Sequence, residues 1–149
     1  MHRILVRDIM SSPVVTVGPD QLAVDAAQIM EEFSIRRLPV VDDDNILLGI
    51  VTDTDVLEAE TAEHVISSYE PDVEAEWLAV ADIMSDEVVS VSPDCTVGEL
   101  ASIFIAHKVG GVPVVETYAN KKQVVGIVTE TDIFQMIVDA WQAEQHQAA

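Results

Sequence analysis

The stretch GIVTDTD at residues 49–55 has a near copy, GIVTETD, at residues 126–132, and six of the seven letters agree. Self-similarity of this kind indicates a repeated structural unit. A second copy of a catalytic residue would be redundant. A second copy of a binding element suits two related pockets, or one pocket built from two facing halves. The doubled motif therefore favours binding over catalysis.

The similarity between the two halves extends well beyond this motif. Residues 6–41 align without gaps to residues 80–115, and 15 of these 36 positions are identical. In each copy a β-branched run (VVTV or VVSV) ends at a proline, and a helical pattern follows. Two apolar runs around a polar turn (DDDN or ETYANKKQ) then precede a second helix. The sequence predicts the order strand, helix, strand, strand, helix, twice. The apolar positions of the first helix in each copy are Leu22, Ala26, Ile29, Met30 and Phe33, and Val97, Leu100, Ala101 and Phe104.

The composition is that of a strongly acidic chain with enough apolar residues to form a core. Of its 149 residues 49% are hydrophobic, and 27 Asp and Glu against 7 Lys and Arg give a formal net charge of -20. This charge repels nucleic-acid phosphates and anionic lipids, so we expect no nucleic-acid partner. Such acidity is also typical of halophilic proteins, because salt screens the self-repulsion. No signal-peptide pattern and no apolar run near the roughly 20 residues of a membrane span is present, which predicts a cytoplasmic protein.

The repeat divides the chain into three predicted segments. Residues 1–62 form the first repeat, residues 63–79 an acidic connector, and residues 80–149 the second repeat. His64 in the connector is predicted to be solvated rather than a metal ligand, since it stands alone among glutamates. Cys95 is the single cysteine and has no partner for an internal disulfide. We therefore expect no metal site and no obligatory cofactor.

The doubled motif supports two interpretations that are compatible with each other. Thr52 and Asp55 have the spacing of a capping box, in which each side chain accepts a hydrogen bond from the backbone N–H of the other. A helix start is also an anion site, where Thr52 and Thr54 can add hydroxyl donors for a phosphate. The Asp55 carboxylate can accept hydrogen bonds from both hydroxyls of a ribose.

Two further features concern glycines and arginines. Gly49 and Gly126 interrupt apolar strands, which indicates a bulge or a close backbone approach, by packing or by a ligand. Arg36 and Arg37 are two of only seven basic residues and stand together before an apolar strand. The aspartates at 42–44 are candidate partners for them.

Taken in order, these motifs resemble a tandem pair of CBS domains. The resemblance covers nearly the whole chain and rests on DIM, the β-branched run ending in proline and aspartate, the amphipathic helix, RRLPVVD or GGVPVVE, and GIVTxTD. It implies an α+β fold, the α/β-type CBS fold, of two β-α-β-β-α repeats packed through their sheets about a pseudo-twofold axis. It also implies clefts between the repeats that bind AMP, ADP, ATP or S-adenosylmethionine, and association into flat dimers.

Carried onto this sequence, the resemblance implies a set of ligand-binding positions. In nucleotide-binding members a basic pair before LPVV contacts phosphate, and Arg36 and Arg37 match it. The second repeat departs from that pattern, because Gly110 and Gly111 replace the pair, with His107 and Lys108 earlier. The implied set is Val17, Asp20, Arg36, Arg37, Ile50, Thr52, Thr54, Asp55, Ile127, Thr129, Thr131 and Asp132.

The resulting hypothesis is a non-catalytic regulatory module that senses an adenosyl ligand and acts on an unidentified partner protein. No poised nucleophile or oriented carboxylate pair points to an enzyme. The alternatives are a ligand-free dimerisation module whose TxTD motifs only cap helices, and an enzyme fragment that works beside another chain. Apolar residues on the second helix of each repeat predict a surface that is buried between chains, and the resemblance implies that the assembly is a homodimer. These residues are Val56, Leu57, Val65 and Ile66, and Ile133, Ile137 and Trp141.

Overall fold

A computed structural model describes residues 1–66 and 77–148, with side chains described for 1–60 and 77–147. The side chains of His64, Val65 and Ile66, and the middle of the predicted connector, lie outside the described part. After a short 3-10 turn at Val6–Asp8, the described elements are α1 (Ala23–Phe33), β1 (Arg37–Val41), β2 (Leu47–Thr52), α2 (Asp53–Ile66), α3 (Val80–Ile83), α4 (Val97–His107), β3 (Gly111–Tyr118), β4 (Lys121–Thr129) and α5 (Glu130–Ala148).

The chain packs into two compact units. One, which we call the Thr52 unit, comprises Val15–Val88 and Lys121–Gln123. The other, the Thr129 unit, comprises Met1–Val14, Val89–Asn120 and Val124–Ala149. Each unit therefore combines the helices and strands of one repeat with the DIM segment of the other repeat, which is residues 82–84 in the Thr52 unit and residues 8–10 in the Thr129 unit.

The exchanged DIM segment of the Thr52 unit explains Gly49. Ile50 and Ser85 exchange two backbone hydrogen bonds of 2.9 Å, which brings Met84 against the β2 backbone. A Cβ at Gly49 would lie 2.7 Å from both Met84 Sδ and Ser85 O. A bulge stands beside it, because Val40 pairs with Gly49 but Val41 pairs with Leu47. The close approach comes from packing, so that interpretation of Gly49 is confirmed.

The Thr129 unit repeats this arrangement with its own DIM segment. Ser11 donates to Ile127 O at 2.8 Å and accepts from Ile127 N at 3.1 Å. A Cβ at Gly126 would lie 2.7 Å from Met10 Sδ and 3.0 Å from Ser11 O. Both glycines are thus needed because a methionine and a backbone carbonyl occupy the space of a side chain.

Each unit contains a two-stranded sheet formed by a hairpin, as the sequence predicts. In the Thr52 unit β1 and β2 are antiparallel. In the Thr129 unit β3 and β4 are joined at Ala119 and Asn120, which both have positive φ. Most of the predicted turn ETYANKKQ is therefore strand, since two left-handed residues suffice for a tight hairpin.

The predicted first strand of each repeat is reduced to a single bridge. Val17 bridges Val40 and Val91 bridges Val114, both in parallel. A proline follows two residues after each bridge and has no N–H to extend the ladder. The mixed helix and strand architecture is confirmed, but the VVTV and VVSV runs contribute one paired residue each.

A small apolar core lies behind each hairpin. The side chains that fill the Thr52 unit come from its three helices and both strands, and they include Ala26, Met30, Leu38, Val40, Val51, Val56 and Val80. Those of the Thr129 unit include Val6, Val91, Leu100, Phe104, Val112, Val114 and Val128.

One residue of the predicted apolar face of α1 is not buried. Phe33 is 54% exposed, because it ends α1 beyond the last buried turn.

Candidate functional site

The candidate site of the Thr52 unit begins with a capping box at the junction of β2 and α2. The Thr52 N–H donates to Asp55 Oδ2 at 2.8 Å, and the Asp55 N–H donates to Thr52 Oγ1 at 3.1 Å. Both side chains are half-buried. The capping interpretation of the motif is confirmed, and it involves only one oxygen of the Asp55 carboxylate among the described residues.

The Thr129 unit has the same box at the junction of β4 and α5. The Thr129 N–H donates to Asp132 Oδ2 at 2.8 Å, and the Asp132 N–H donates to Thr129 Oγ1 at 3.4 Å. The Thr129 hydroxyl also lies 3.2 Å from Asp132 Oδ2. The two junctions are therefore geometrically alike, and each holds a half-buried carboxylate at the start of a long helix.

The arginine pair lies directly beside the first of these boxes. Arg37 is the register partner of Thr52 in the β1–β2 ladder, and the Asp53 N–H donates to the Arg36 carbonyl at 2.9 Å. Arg36 is exposed and Arg37 is half-buried. The hairpin thus fixes the backbone of two cationic residues at the N-terminal end of α2.

Asp42, one of the candidate partners of the arginines, has a role within its own turn. Asp42 Oδ1 accepts hydrogen bonds of 2.9 Å from the N–H groups of Asp44 and Ile46. It therefore stabilises the turn between β1 and β2, a common role for aspartate in turns.

The corresponding backbone of the Thr129 unit carries no cationic pair. The Glu130 N–H donates to the Gly110 carbonyl at 3.0 Å, as Asp53 does to Arg36. Gly111 begins β3, and Lys108 is an exposed residue in the left-handed conformation that ends α4. The same backbone positions therefore carry two arginines in the Thr52 unit and two uncharged glycines in the Thr129 unit.

The remaining predicted positions are spread over several environments. Val17 is buried in the core, and Asp20 is exposed. Ile50 and Ile127 use their backbone groups to bind Ser85 and Ser11. Thr54 and Thr131 are exposed in the first turns of α2 and α5.

Sequence reasoning missed an open groove in the Thr52 unit, with a volume of about 410 Å³ between α1 and α2. Its apolar lining includes Ala27, Met30, Ile35, Val56 and Leu57, and Thr54 stands at its edge. Helical periodicity marked Met30 and Val56 as apolar positions, but only the packing of the two helices makes a groove from them.

The described residues were compared with the requirements of a metal site, a membrane span and a reactive thiol. None of them form a group of three or more His, Cys, Asp or Glu side chains suited to a metal ion. None of the described helices combines the length and apolar character needed to cross a membrane. Burial and, secondarily, the nearby Glu99 carboxylate raise the pKa of the Cys95 thiol, so it stays protonated near neutral pH.

Comparison with protein families matches the CBS domain model at residues 6–62 and 80–139. The chain belongs to the CBS domain family, and it is a tandem pair of these domains. The first matched range lies within the predicted first repeat, and the second lies within the predicted second repeat.

Three relatives give this assignment detail. Hypoxic response protein 1 of Mycobacterium tuberculosis is 32% identical over 127 residues, which are 85% of this chain and 80% of that protein. The CBS domain pair of protein MJ0100, solved with 5′-methylthioadenosine and S-adenosyl-L-methionine, is 30% identical with a TM-score of 0.77, covering 91% of this chain and 97% of that one. L-aspartate semialdehyde sulfurtransferase of Methanocaldococcus jannaschii is 32% identical over 129 residues, but the match spans 87% of this chain and 22% of the enzyme.

Proposed function

We propose that this chain is a non-catalytic regulatory module that binds an adenosyl ligand, namely AMP, ADP, ATP or S-adenosylmethionine. The observation that carries the proposal is that the arginine pair lies beside the Thr52–Asp55 box. Arg37 pairs with Thr52 in the β1–β2 ladder, and the Asp53 N–H donates a hydrogen bond to the Arg36 carbonyl. The adenosyl ligands in the related CBS pair support the same class of molecule.

The groups at this junction suit the two ends of a nucleotide. Asp55 Oδ2 accepts from Thr52 N–H, so the cap uses one of the two carboxylate oxygens and does not use Oδ1. A carboxylate oxygen of this kind accepts from ribose hydroxyls without disturbing the cap. Arginine binds phosphate through two parallel, charge-assisted hydrogen bonds, and the start of α2 adds backbone N–H groups. Capping and ligand binding can therefore operate together.

The proposal includes two unequal sites. Both units offer a carboxylate, but the Thr129 unit has Gly110 and Gly111 where the Thr52 unit has the arginines. A glycine cannot replace a guanidinium as a hydrogen-bonding cation. The tighter site for a phosphorylated ligand therefore belongs to the arginine pair, and Asp55 holds its ribose. Ligand binding regulates a partner protein by shifting an existing conformational equilibrium, to the extent that the ligand prefers one state.

The first test is thermal unfolding with each of the four ligands, without and with magnesium. A ligand at 100 times its dissociation constant adds about 2.7 kcal/mol to the free energy of unfolding, so binding raises the melting temperature. The measurements belong in the salt that best stabilises the protein. No shift with any of the four would contradict the proposal and favour the second candidate.

Calorimetry with matched variants tests the inequality. Losing one charged hydrogen-bonding partner costs on the order of 1.5–3 kcal/mol, so Arg37→Ala should weaken the tighter site by about ten- to hundredfold. Asp55→Asn should also weaken it, because the amide keeps an oxygen for the Thr52 N–H but loses an acceptor for ribose. Asp132→Asn is the control and should leave that site unchanged. Two equal sites that tolerate Arg37→Ala would contradict this part.

The second candidate is a ligand-free structural module. It is favoured by one observation: the four hydrogen bonds between backbone N–H groups and the Thr52–Asp55 and Thr129–Asp132 side chains already account for both motifs as helix caps. This candidate predicts a flat response to all four ligands.

A further inference from the structure

The hairpin formed by β3 and β4 is longer than the hairpin formed by β1 and β2. β3 has eight residues, whereas β1 has five. Val115 in β3 aligns with Val41, which is the last residue of β1. The next three residues of β3, Glu116, Thr117 and Tyr118, therefore form an additional piece of strand, which we call the β3 extension. Thr117 and Tyr118 are exposed.

Val91 of the VVSV run pairs with the outer edge of β3, which is the edge that faces away from β4. The Val91 N–H donates to the Pro113 carbonyl at 3.1 Å, and the Val115 N–H donates to the Val91 carbonyl at 2.8 Å. Alternate residues of a strand direct their N–H and C=O groups to opposite edges. Thr117 therefore faces the same outer edge as Pro113 and Val115.

Pro93 prevents this parallel ladder from continuing along the β3 extension. The residue two positions after Val91 would donate to the Val115 carbonyl and accept from the Thr117 N–H. That residue is Pro93, which has no N–H, and its carbonyl already accepts from the Arg7 N–H at 3.0 Å. The ladder with the VVSV run therefore provides no partner for the Val115 carbonyl or for the backbone groups of Thr117.

The side chains of the β3 extension favour pairing with another strand. Threonine and tyrosine are common in strands. Lysine or proline on an edge strand often blocks pairing, and the β3 extension contains neither. Tyr118 is 61% exposed, and its hydroxyl donates to Glu116 Oε2 at 2.7 Å. Exposed tyrosines of this kind are frequent at protein interfaces, because the ring is apolar and the hydroxyl is polar.

Two lysines lie at the tip of the same hairpin. The chain has three lysines against 27 acidic residues, and Lys121 and Lys122 directly follow the two-residue turn. The turn makes Lys121 the register partner of Tyr118, and Lys122 that of Thr117. Both lysines are exposed. A segment paired with the β3 extension would lie two strand spacings, about 10 Å, from β4, which is similar to the screening length at physiological salt. The lysines would therefore attract carboxylates on that segment.

We propose that the outer edge of the β3 extension binds an extended, acidic segment of a partner protein by β-strand addition. In this mode main-chain hydrogen bonds give affinity, and nearby side chains give specificity. The segment donates to the Val115 and Thr117 carbonyls and accepts from the Thr117 N–H, and its carboxylates lie near Lys121 and Lys122. The proposal does not rest on the adenosyl ligand, so the ligand-free protein tests it separately from the proposed function.

The test measures the binding of labelled peptides to the ligand-free protein by fluorescence anisotropy in about 0.15 M salt. The probe is a peptide of alternating valine and threonine, about six residues long, that ends in two aspartates. Its matched control ends in two asparagines. Because a net charge of -20 repels anionic peptides, tighter binding of the aspartate peptide requires a local cationic surface. We expect the aspartate peptide to bind more tightly than the asparagine peptide, by about tenfold.

Variants of the hairpin locate the binding edge. Thr117→Pro removes the outward N–H but keeps the bonds to β4, since Pro113 already occupies an outward position of β3. It should weaken binding of the aspartate peptide about tenfold, whereas Thr117→Val keeps the N–H and should bind normally. The double variant Lys121→Gln, Lys122→Gln should bind the two peptides equally. Lys108→Asn, which removes the third lysine, should retain the preference for aspartate. Circular dichroism checks the folding of each variant.

Hydrogen exchange measured by NMR tests the same edge in the unaltered protein. The aspartate peptide should slow exchange of the Thr117 N–H about tenfold, whereas the Tyr118 N–H faces β4 and should change little. The proposal is overturned if neither peptide binds, if Thr117 exchange is unchanged, or if Thr117→Pro binds like Thr117→Val. Equal binding of the two peptides to the unaltered protein overturns the acidic partner. Self-association that Thr117→Pro abolishes would make a second copy the occupant and would also overturn the proposal.

Discussion

The Thr52 and Thr129 units are built from the same parts but differ in what those parts present to solvent. Both place a methionine of a DIM segment over a strand glycine, and both cap a long helix with a Thr–Asp box. The Thr52 unit adds the arginine pair and the groove, and the Thr129 unit adds exposed apolar side chains on α5, among them Phe134 and Trp141. The comparison teaches that the two units share their internal packing and differ in the side chains at their surfaces.

The largest effect within this comparison should come from filling the glycine positions. Gly49→Ala should lower the free energy of unfolding by about 1–3 kcal/mol, because the new Cβ would meet a backbone carbonyl, which cannot move aside as a side chain does. Gly126→Ala should cost less, since the added Cβ would lie 3.0 Å from Ser11 O, whereas the Cβ added at Gly49 would lie 2.7 Å from Ser85 O. Urea unfolding monitored by circular dichroism measures both.

The control for these substitutions is Gly18→Ala. A Cβ there would have Gln21 Oε1 at 3.8 Å, an ordinary contact. It should change stability by less than about 0.5 kcal/mol. If Gly126→Ala proved more costly than Gly49→Ala, the Thr129 unit would be the more tightly packed of the two, against the distances.

A smaller effect should show that the two helix caps are equivalent. Thr52→Ala and Thr129→Ala should each cost about 1 kcal/mol, because each removes the hydroxyl that accepts an aspartate N–H at the start of a helix. Thr54→Ala is the control, since Thr54 is exposed and lies inside the first turn. Denaturant titrations would test this.

The outcome of the cap experiment separates shared from divergent features. Equal losses for the two threonines would place the caps among the parts that both units retain. A loss at only one of them, or a loss for Thr54→Ala as large as for Thr52→Ala, would contradict the equivalence.

The smallest effect concerns an ion pair that one unit has and the other lacks. In the Thr129 unit Arg7 forms an ion pair with Asp94, and Arg7 N–H binds the Pro93 carbonyl at 3.0 Å. In the Thr52 unit the aligned residues are Ala81 and Asp20, and the Ala81 N–H binds Pro19 in the same way. The backbone contact is therefore common, but the charge contact is not.

Exchanging this feature should change stability slightly and in opposite directions. Exposed ion pairs contribute about 0.2–1 kcal/mol to the free energy of unfolding. Arg7→Ala should therefore lower that free energy by this amount, and Ala81→Arg, which places an arginine near Asp20, should raise it. Both effects should fade in about 1 M salt. Arg3→Ala is the control for net charge, and thermal unfolding in low and high salt is the measurement. Arg3→Ala matching Arg7→Ala would show that net charge, rather than the pair, is responsible.

Much of the local structure and part of the site could be predicted from residues close in sequence. Thr52 and Asp55 are three residues apart, so their reciprocal capping follows from local geometry. The hairpins follow from apolar runs around a polar turn. The first strands were overestimated, because β-branched residues favour extended backbone without ensuring a partner, and Val17 pairs at a single position.

Contacts between distant residues could not be predicted in the same way. On α5 the sequence indicated Ile133, Ile137 and Trp141 as an apolar series spaced by four. In the structure Ile133 is partly buried, as are Met136 and Ala140, whereas Ile137 and Trp141 are exposed. A spacing of four residues advances about 40° beyond a full turn, so a long apolar series drifts around the helix. Only the neighbouring element decides which part of that series is covered.

By itself, the sequence determined the repeat, the long helices and the hairpins, the helix caps, the acidic composition and the family, because these depend on residue type and short spacing. The tertiary structure decided that each DIM segment packs with the other repeat's strands, that Arg37 stands beside Thr52, and that α1 and α2 leave a groove. Apolar burial is non-directional, so the sequence can indicate a close approach to the backbone of Gly49 without specifying Met84 as the residue that approaches it. That choice is made by chain topology and by the close fit of the folded core.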